Sequence, residues 1–519
     1  MEKDGANEDT KQAETTSRIA FGSCHKSDKS ATPPIWETIL PPPDGGDPVT
    51  PETPRHLDAW LWLGDAIYPS HRDPVTHKKY YGPAPPAEVE AHLRAMKHEN
   101  ATIGYKGFLD RLDHYYHSSR GFDSGGRPLI TGVWDDHDFG GNDMGAKMPE
   151  KKRRQAVYRE FLGSGAAGAR GEQPDNPSRE GMYHRVDLEN GRIRILVLDT
   201  RWFREDHCIP SIAHRIPMGN AVACLTRWMT SGLLLHKYAW LWGKGNCRNA
   251  KVLGDDQWAW LENELLVESS QPSSTAAKLD PPELFVILSS VQVWSTNPIM
   301  EGWGHFPREQ ERLWNLLRTH YGAASPAADI GSRGSDRRAE PAPVMFLSGD
   351  VHHAEISGQP GYYEITSSGL THHCGQHKLY GRVCKPVLDT FSAHRSGAPP
   401  SPRSGKRNKN RDKETKVASD EELDGGQGGY YIGLNFGVLE VLTGEDGGKR
   451  EVLAGVKNAT GHTVLEVSQA LAGHGPVPVL PPYEQIAHTW DGHLIPYARG
   501  FLLWAVIGLA SIRTLLKQG

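Results

Sequence analysis

The segment LITGVWDDHDFGGND, residues 129–143, joins a short apolar run to a cluster of ionisable side chains. Its first six residues do not alternate with charged ones, which is typical of a strand that is buried on both faces. Three carboxylates and one imidazole follow directly, at Asp135, Asp136, His137 and Asp138. These groups would repel one another without a cation or strong hydrogen bonds. The segment therefore predicts a buried strand that ends in a functional site rather than in an exposed acidic turn.

Other short apolar runs repeat this pattern along the chain. They predict strands at residues 18–23, 59–63, 193–198, 284–289, 344–347, 430–442 and 464–468, with helices at 87–98, 151–162, 255–268 and 308–320. Most of the earlier strands end in a polar or metal-binding residue. Open α/β sheets bind their ligands at the carboxyl ends of the strands. The pattern predicts an α/β chain in which one large fold gathers the strand ends.

Charge and composition divide the chain into five parts. We expect a disordered N-terminal tail at residues 1–17, a catalytic domain at 18–393, a disordered charged linker at 394–429, strands completing the domain at 430–490 and a transmembrane helix at 494–516. The last segment could instead be a short buried or interfacial helix. With such an anchor the protein is expected at a membrane, with its catalytic domain in the cytosol. Without one it is expected to be soluble and intracellular.

The overall composition excludes some classes of function. The chain has 519 residues, with 58 Lys and Arg against 63 Asp and Glu, so a nucleic-acid binder that works by bulk positive charge is excluded. Six cysteines without a CxxC pair do not predict a disulfide framework in a chain of this length. The 25 histidines are more informative, because imidazole is the commonest metal ligand. The sequence leaves the oligomeric state open.

The motif GDAIY, residues 64–68, follows the second predicted strand. Gly64 allows a sharp turn, so Asp65 can point its carboxylate beyond the sheet and Tyr68 can return its phenol to the same space. Aspartate can bridge two metal ions, and phenolate is a hard ligand that suits Fe(III). The alternative is an ordinary turn with a packed tyrosine.

The acidic segment itself contributes three candidate residues. Asp136 and His137 are candidate ligands, or groups that orient ligands. Asn142 follows two glycines, so its amide could reach an oxyanion or a metal. We expect Asp136, His137 and Asn142 to take part in catalysis.

Two more motifs carry metal-binding side chains. In SGDVHHAE, residues 348–355, Asp350 and His352 alternate along the backbone that we expect to be extended, so both could bind one ion. His353 would then face the other way as a structural residue. Cys24 follows the first strand, where a thiolate could bind iron or zinc. A lone cysteine is, however, more often a small buried hydrophobe.

Together these motifs are typical of a two-metal hydrolase. Two ions about 3.5 to 4 Å apart clamp the attacking and leaving oxygens of a phosphoryl transfer and generate a hydroxide nucleophile. No serine or cysteine nucleophile is then needed, and a neighbouring imidazole or carboxylate would protonate the leaving group.

The ordered motifs resemble the PhoD-like alkaline phosphatase and phosphodiesterase branch of the calcineurin-like metallophosphoesterases. They are FGSCHK (21–26), GDAIY (64–68), WDDHDFGGND (134–143), LDTRWFR (198–204), LGDDQWAWL (253–261) and LSGDVHHAE (347–355), with NFGVLEV (435–441) as a weaker seventh. The resemblance covers about residues 18–375. The chain departs from secreted members in lacking an export signal, in having Asp138 where Glu is commoner, and in its large insertions.

The resemblance implies a four-layer α/β sandwich, in which two mixed β-sheets are flanked by helices. It also implies a site with Fe(III) and Ca(II) or another divalent ion. Cys24, Asp65 and Tyr68 would bind the ferric ion, and Asp350 with His352 would complete the cluster. Asp136, His137 and Asn142 fall in the segment for the second metal and the phosphate. Arg201 and Arg204 could steady the site or the substrate, or form a structural salt bridge.

The expected function is therefore the metal-dependent hydrolysis of phosphate esters. One alternative is a phospholipase-like phosphodiesterase that acts on membrane lipids. Another is a membrane-tethered adaptor that binds phosphate groups without turnover. The insertion between residues 202 and 249 contains the apolar run 233–242, which could form a substrate lid or simply pack on the domain.

Overall fold

The computed structural model describes residues 14–26, 35–42, 57–72, 75–98, 104–119, 129–163, 179–213, 216, 219–230, 249–266, 280–295, 297–322, 341–376, 381–391, 429–444 and 449–471. The apolar run 233–242, the linker 394–428 and the segment 494–516 lie outside them.

The strands and helices alternate over the first part of the chain, and strands dominate its end. The strands are β1 Glu14–Gly22, β2 Ala59–Leu63, β3 Leu129–Val133, β4 His184–Leu188, β5 Ile193–Val197, β6 Leu284–Leu288, β7 Val344–Ser348, β8 Ala354–Gln359, β9 Tyr362–Ser367, β10 Tyr430–Tyr431, β11 Asn435–Thr443, β12 Arg450–Asn458 and β13 Thr463–Ala470. The α-helices are α1 Ile35–Ile39, α2 Pro86–His98, α3 Tyr105–Ser119, α4 Asp136–Phe139, α5 Lys151–Leu162, α6 Gly219–Thr230, α7 Asp255–Leu266, α8 Pro307–Gly322 and α9 Gly381–Phe391. Short 3₁₀ turns lie at Glu189–Gly191, Trp303–His305 and Cys374–Gln376.

These strands form two mixed sheets. The first has six strands in the order β13-β12-β11-β1-β2-β3, and its parallel part is β1-β2-β3. The second has seven strands in the order β10-β8-β9-β7-β6-β5-β4, and β5, β6, β7 and β9 are parallel. Parallel strands present their carboxyl ends at one edge, so both sheets offer an edge at which a site can form.

The apolar side chains pack into a four-layer arrangement. Ile19 and Val133 of the first sheet share one core with Val197 and Met345 of the second. The outer face of the second sheet packs on α7 and α8, in a core that includes Leu196, Leu261, Leu317 and Phe346. Helices also cover the outer face of the first sheet, where the rings of Trp60 and Trp36 lie 5.0 Å apart. The predicted α/β class, with two mixed sheets flanked by helices, is confirmed.

Most predicted elements are observed with small shifts at their ends, but some strands were missed. Polar residues interrupt the apolar pattern of four strands, β4, β8, β9 and β12, so uninterrupted apolar runs do not predict them. The N-terminal tail was expected to reach residue 17, which is wrong for its last four residues. β1 begins at Glu14, because residues 14–21 pair antiparallel with β11 and Glu14 lies opposite Thr443.

Two expectations about the surroundings of the protein also change. Cys374 is disulfide-bonded to Cys384, and Cys208 is disulfide-bonded as well, although the cysteine spacing did not predict a disulfide framework. Disulfides are typical of oxidising compartments, so they do not support the expected cytosolic placement. The expected transmembrane helix is not borne out in the described part of the chain, where none of the helices is long and apolar enough to cross a membrane.

Candidate metal centre

Four loops that follow strands of both sheets bring their side chains to one place. Cys24 follows β1, Asp65 follows β2, Asp135 and Asp136 follow β3, and Asp350 follows β7. One oxygen from each of Asp65, Asp135, Asp136 and Asp350 lies within 4.8 Å of the others, which is close enough to share an ion. The Sγ of Cys24 lies 3.6 Å from Asp65 Oδ2. The structure thus brings together Cys24, Asp65, Asp136 and Asp350, which the sequence offered as candidate ligands, and adds Asp135 to them.

Tyr68 completes this group on the side of Asp65. Its hydroxyl donates a hydrogen bond of 2.7 Å to Asp65 Oδ2. Cys24 Sγ also lies 3.0 Å from the hydroxyl of Ser368 and 3.8 Å from the carbonyl oxygen of Asp350. Burial raises the pKa of both the Cys24 thiol and the Tyr68 phenol, so both groups stay protonated unless a nearby cation stabilises their ionised forms.

Several of these residues have a left-handed backbone conformation. The φ angles are 61° for Cys24, 52° for Asp65, 69° for Asp350 and 58° for His352. Such angles are unfavourable for residues with a Cβ and concentrate at functional sites. They also correct one expectation, because Asp350 and His352 lie in a tight turn after β7 and not on extended backbone.

The short helix α4 determines which acidic residues face the site. Asp138 accepts hydrogen bonds from the backbone N–H of Asp135 and of Ile67, both at 3.1 Å. Its carboxyl group therefore stabilises the start of the helix instead of facing an ion. Burial raises its pKa to about 8. Asp138 is a structural residue within the motif.

Asp136 and His137 are the residues of α4 that face the candidate site. Asp136 Oδ2 accepts a hydrogen bond of 2.7 Å from the backbone N–H of Asp143, whereas its buried Oδ1 has no hydrogen-bond partner among the described residues. His137 Nδ1 is likewise unpartnered within that part of the chain. The His137 ring lies 4.2 Å from the Tyr68 ring. Half-buried Asn142 forms no hydrogen bond with any described residue, so its amide is free for a ligand.

Negative charge exceeds positive charge in this region. Six carboxylates, of Asp65, Asp135, Asp136, Asp143, Glu301 and Asp350, face three guanidinium groups, of Arg201, Arg204 and Arg227. Burial raises the pKa of Asp65 and Asp350 well above the usual range, and the neighbouring acidic residues raise it further. An uncompensated buried carboxylate either binds a cation or becomes protonated.

The arginines orient the carboxylates and do not face the solvent. Arg201 Nε lies 2.6 Å from Asp135 Oδ1, and its Nη1 lies 2.9 Å from Glu301. Arg204 also lies 2.9 Å from Glu301. Of the alternatives for Arg201 and Arg204, the structure supports buried salt bridges that steady the site. Burial raises the pKa of Glu301 to about 7, although both arginines lower it.

A second set of contacts holds the loop that carries Asn142. Arg227 of α6 lies 2.8 Å from Asp143, and Ser211 donates a hydrogen bond to the same carboxylate. Burial would raise the pKa of Asp143, but the charge of Arg227 lowers it well below the usual range. The insertion after residue 202 thus contributes an ion pair behind the site, which the sequence motifs did not indicate.

The histidines form the other wall of the site. The His352 ring lies 4.6 Å from the ring of His372, which is 5.0 Å from the Tyr68 ring. His353, predicted to be structural, is buried and its Nδ1 lies 3.0 Å from the carbonyl oxygen of Val351. His372 was not predicted, and neither was Glu301. Both lie in loops without a metal-binding motif. The only signal in the sequence that could have suggested them is how near each lies to the end of a strand.

Comparisons with known proteins give little further information. No protein-family model matches the chain, and no curated protein matches it. Among solved structures it is similar to the protein described as "GAP50 the anchor in the inner membrane complex of Plasmodium", with 10% identity over 88% of this chain and 90% of that one and a TM-score of 0.33. A similarity of this size carries no argument about function. The family resemblance therefore stays a prediction.

Proposed function

We propose that the chain is a metal-dependent phosphoesterase that hydrolyses phosphate monoesters or diesters. The observation that supports this best is the convergence of Asp65, Asp135, Asp136 and Asp350 within the reach of one ion. Arg201 alone cannot balance their charge. Thiolate, phenolate, carboxylate and imidazole ligands together fit Fe(III) with a divalent ion such as Ca(II).

The proposed ligands include those that the sequence predicted and one that the structure suggests. The expected ligands are Cys24, Asp65, Tyr68, Asp136, Asp350 and His352, and Asp135 is added because its buried Oδ2 is unpartnered among the described residues. When bound, two such ions supply a hydroxide nucleophile near neutral pH and stabilise the charge of the transition state.

The protein's own groups then position the substrate and handle the proton. We assign His137 Nδ1 to hydrogen bonding with the leaving oxygen, since it is unpartnered in the described part of the chain and lies beside Asp136. The amide of Asn142 donates to a phosphoryl oxygen in this proposal. Asp143 positions Asp136 through its backbone N–H.

The test compares Asp65→Asn with the control Asp256→Asn, which changes an exposed aspartate at the start of α7. We expect Asp65→Asn to lose bound metal and to lower kcat on the order of 10²- to 10³-fold or more, because it removes a ligand and its charge. Elemental analysis and hydrolysis of aryl phosphate mono- and diesters, with and without a chelator, provide the measurements. Circular dichroism checks that both variants fold.

The outcomes separate the candidate functions. Chelator-sensitive turnover that depends on Asp65 supports the phosphoesterase. Full turnover by a metal-free Asp65→Asn variant contradicts it. A folded wild-type protein that binds phosphate without metal or turnover favours the adaptor. Faster turnover of a phospholipid than of an aryl diester favours the phospholipase-like alternative.

A further inference from the structure

A loop with several positive charges borders the candidate metal centre. We name it the rim loop and define it by the described residues 69–72 and 75–82, between β2 and α2. It begins directly after Tyr68. At its other end, Ala84 donates a backbone hydrogen bond of 2.6 Å to the carbonyl oxygen of Gly140, just before Asn142. The rim loop therefore lies between the motif that carries Asp65 and Tyr68 and a contact with the loop that carries Asn142.

The base of the rim loop is held by one carboxylate. Glu88 of α2 accepts hydrogen bonds from the Ser70 hydroxyl, the backbone N–H of His71 and the Tyr80 hydroxyl. The rings of His71 and Tyr80 lie 5.5 Å apart. Burial and then the charge of His137 lower the pKa of His71. The position of the loop is thus built into the fold.

The tip of the loop combines exposed cations with exposed apolar side chains. Arg72, Lys78 and Lys79 are exposed, and within the described part of the chain neither lysine forms an ion pair. Val75 is 84% exposed, the most among the large hydrophobic residues that the structure describes as exposed, and Tyr81 is 47% exposed. Asp73 belongs to the same stretch of sequence but lies outside the described residues.

This combination suits a lipid surface better than water. Basic side chains near an anionic membrane each strengthen binding, and stable peripheral binding requires a second, apolar contribution. Val75 and Tyr81 can supply the apolar contact, while the cations meet the head groups. A soluble anion would use the lysines but would leave Val75 in water.

We propose that the rim loop docks the protein on a membrane surface that contains anionic phospholipid and thereby presents head-group phosphate to the metal centre. The docking stands on the loop alone. The assignment of the head group as a substrate rests on the proposed phosphoesterase function.

The experiment measures binding of the full chain to vesicles of phosphatidylcholine, with and without phosphatidylglycerol, and separately to inositol hexakisphosphate as a soluble anion. The variants are the double substitution Lys78→Glu with Lys79→Glu, and the single substitution Val75→Asp. Their matched controls are Lys152→Glu with Arg382→Glu, and Val383→Asp, which change exposed residues on α5 and α9. Hydrolysis of a soluble aryl phosphodiester is measured for every variant.

We expect the lysine double variant to bind phosphatidylglycerol vesicles at least about tenfold more weakly than the wild type, and the charge control to stay within about twofold. Val75→Asp should weaken binding and Val383→Asp should not. High salt should reduce wild-type binding, because it screens exposed charges. Turnover of the soluble diester should be equal in all of these variants.

Other results overturn the proposal. Equal vesicle binding by rim-loop variants and controls shows that the loop is not the docking surface. Loss of inositol hexakisphosphate binding in the lysine variant, without any vesicle binding by the wild type, assigns the loop to soluble anions and also refutes the proposal. Loop-dependent vesicle binding by a protein without turnover on any ester would instead contradict the phosphoesterase and leave the docking intact.

Discussion

Several residues of the candidate centre have strained backbone conformations, which the packing of neighbouring strands holds in place. Cys24, Asp65, Asp350 and His352 have positive φ angles, a conformation that costs a residue with a Cβ roughly 1 to 2 kcal/mol. The turns that hold them are built onto buried strands, whose packing keeps the turns in place. We interpret this strain as the cost of pointing each side chain into the shared site.

Arg201 is predicted to be needed for stability. Its guanidinium is fully buried between Asp135 and Glu301, so Arg201→Met leaves two buried carboxylates with one partner fewer. We expect the free energy of unfolding to fall by about 3 to 5 kcal/mol, measured by urea denaturation. The control Arg94→Met removes exposed ion pairs with Glu90 and Glu160 and should cost about 1 kcal/mol or less. Equal losses would show that burial is not the reason.

Glu364 predicts a pH dependence that is independent of the metal centre. Burial raises its pKa to about 7, although the backbone N–H groups of Val293 and Trp294 donate to its carboxylate and lower it. The pKa of Glu364 is higher in the folded state than in the unfolded state, where it is near 4.3, so the residue stabilises the fold fully below that pH. This contribution is lost as the pH rises through 7. Thermal melts of the wild type should show the loss, about 3 to 4 kcal/mol.

The control for this prediction is Glu364→Gln, which cannot titrate. The variant should be less stable, because its amide nitrogen meets one of the two backbone N–H donors. Its stability between pH 4.5 and 7.5 should change less than that of the wild type. An identical pH dependence in both proteins would assign the effect to other groups.

At the scale of elements, the turn after β2 determines where the site lies. Gly64 has a φ of 89°, and a Cβ built there would lie 2.3 Å from the Cβ of Asp135. The close approach of this turn to the end of β3 brings Asp65 and Asp135 together. A side chain at position 64 would separate the two strand ends.

We therefore expect Gly64→Ala to destabilise the fold and to weaken metal binding. The control is Gly82→Ala, which also has a positive φ, 130°, but no atom within 4 Å of the added Cβ. Both substitutions introduce backbone strain that lowers the free energy of unfolding by about 1 to 2 kcal/mol, whereas only Gly64→Ala adds a steric clash. Urea denaturation and metal titration measure the two effects. Similar losses in both variants would contradict the role of the close approach.

At the scale of the whole molecule, the two ends of the described chain meet in the first sheet. β1 pairs with β11 over residues 14–21 and 437–443, so the strand that leads to Cys24 has a partner from the end of the domain. Arg450 on β12 forms ion pairs with Glu189 and Glu283, which precede strands of the second sheet. The late strands are therefore part of the domain that carries the site.

This pairing predicts the result of truncation. A chain that ends at residue 428 lacks β11, so the edge of β1 is unpaired and we expect no cooperative thermal unfolding. A chain that ends at Asn458 keeps β11 and β12 and should retain a cooperative transition at a lower temperature. Circular dichroism melts measure both. A cooperative melt of the shorter chain would show that the catalytic part folds without the late strands.

The sequence alone located the strands that matter for the site with small errors at their ends. β2 is observed at the predicted residues, Ala59–Leu63, because a strand buried on both faces has an uninterrupted apolar run. The missed strands are those whose pattern is broken by polar residues, such as Arg185 and Asp187 in β4. These two form an ion pair, and Asp187 also pairs with Arg194. Local pattern cannot anticipate that a tertiary partner will neutralise a polar residue in a strand.

Motifs in the sequence also determined which residue types could form the site, since Cys24, Asp65, Asp136 and Asp350 each follow a recognisable strand. Only the tertiary structure separated Asp138, whose carboxylate caps a helix, from Asp135, whose oxygens face the cluster. The tertiary structure also brings Glu301, which is far from any metal-binding motif in the sequence, next to Asp136 and Asp143. The physical reason is that hydrophobic periodicity is local, whereas charge compensation and ion binding depend on distances between residues far apart in the chain.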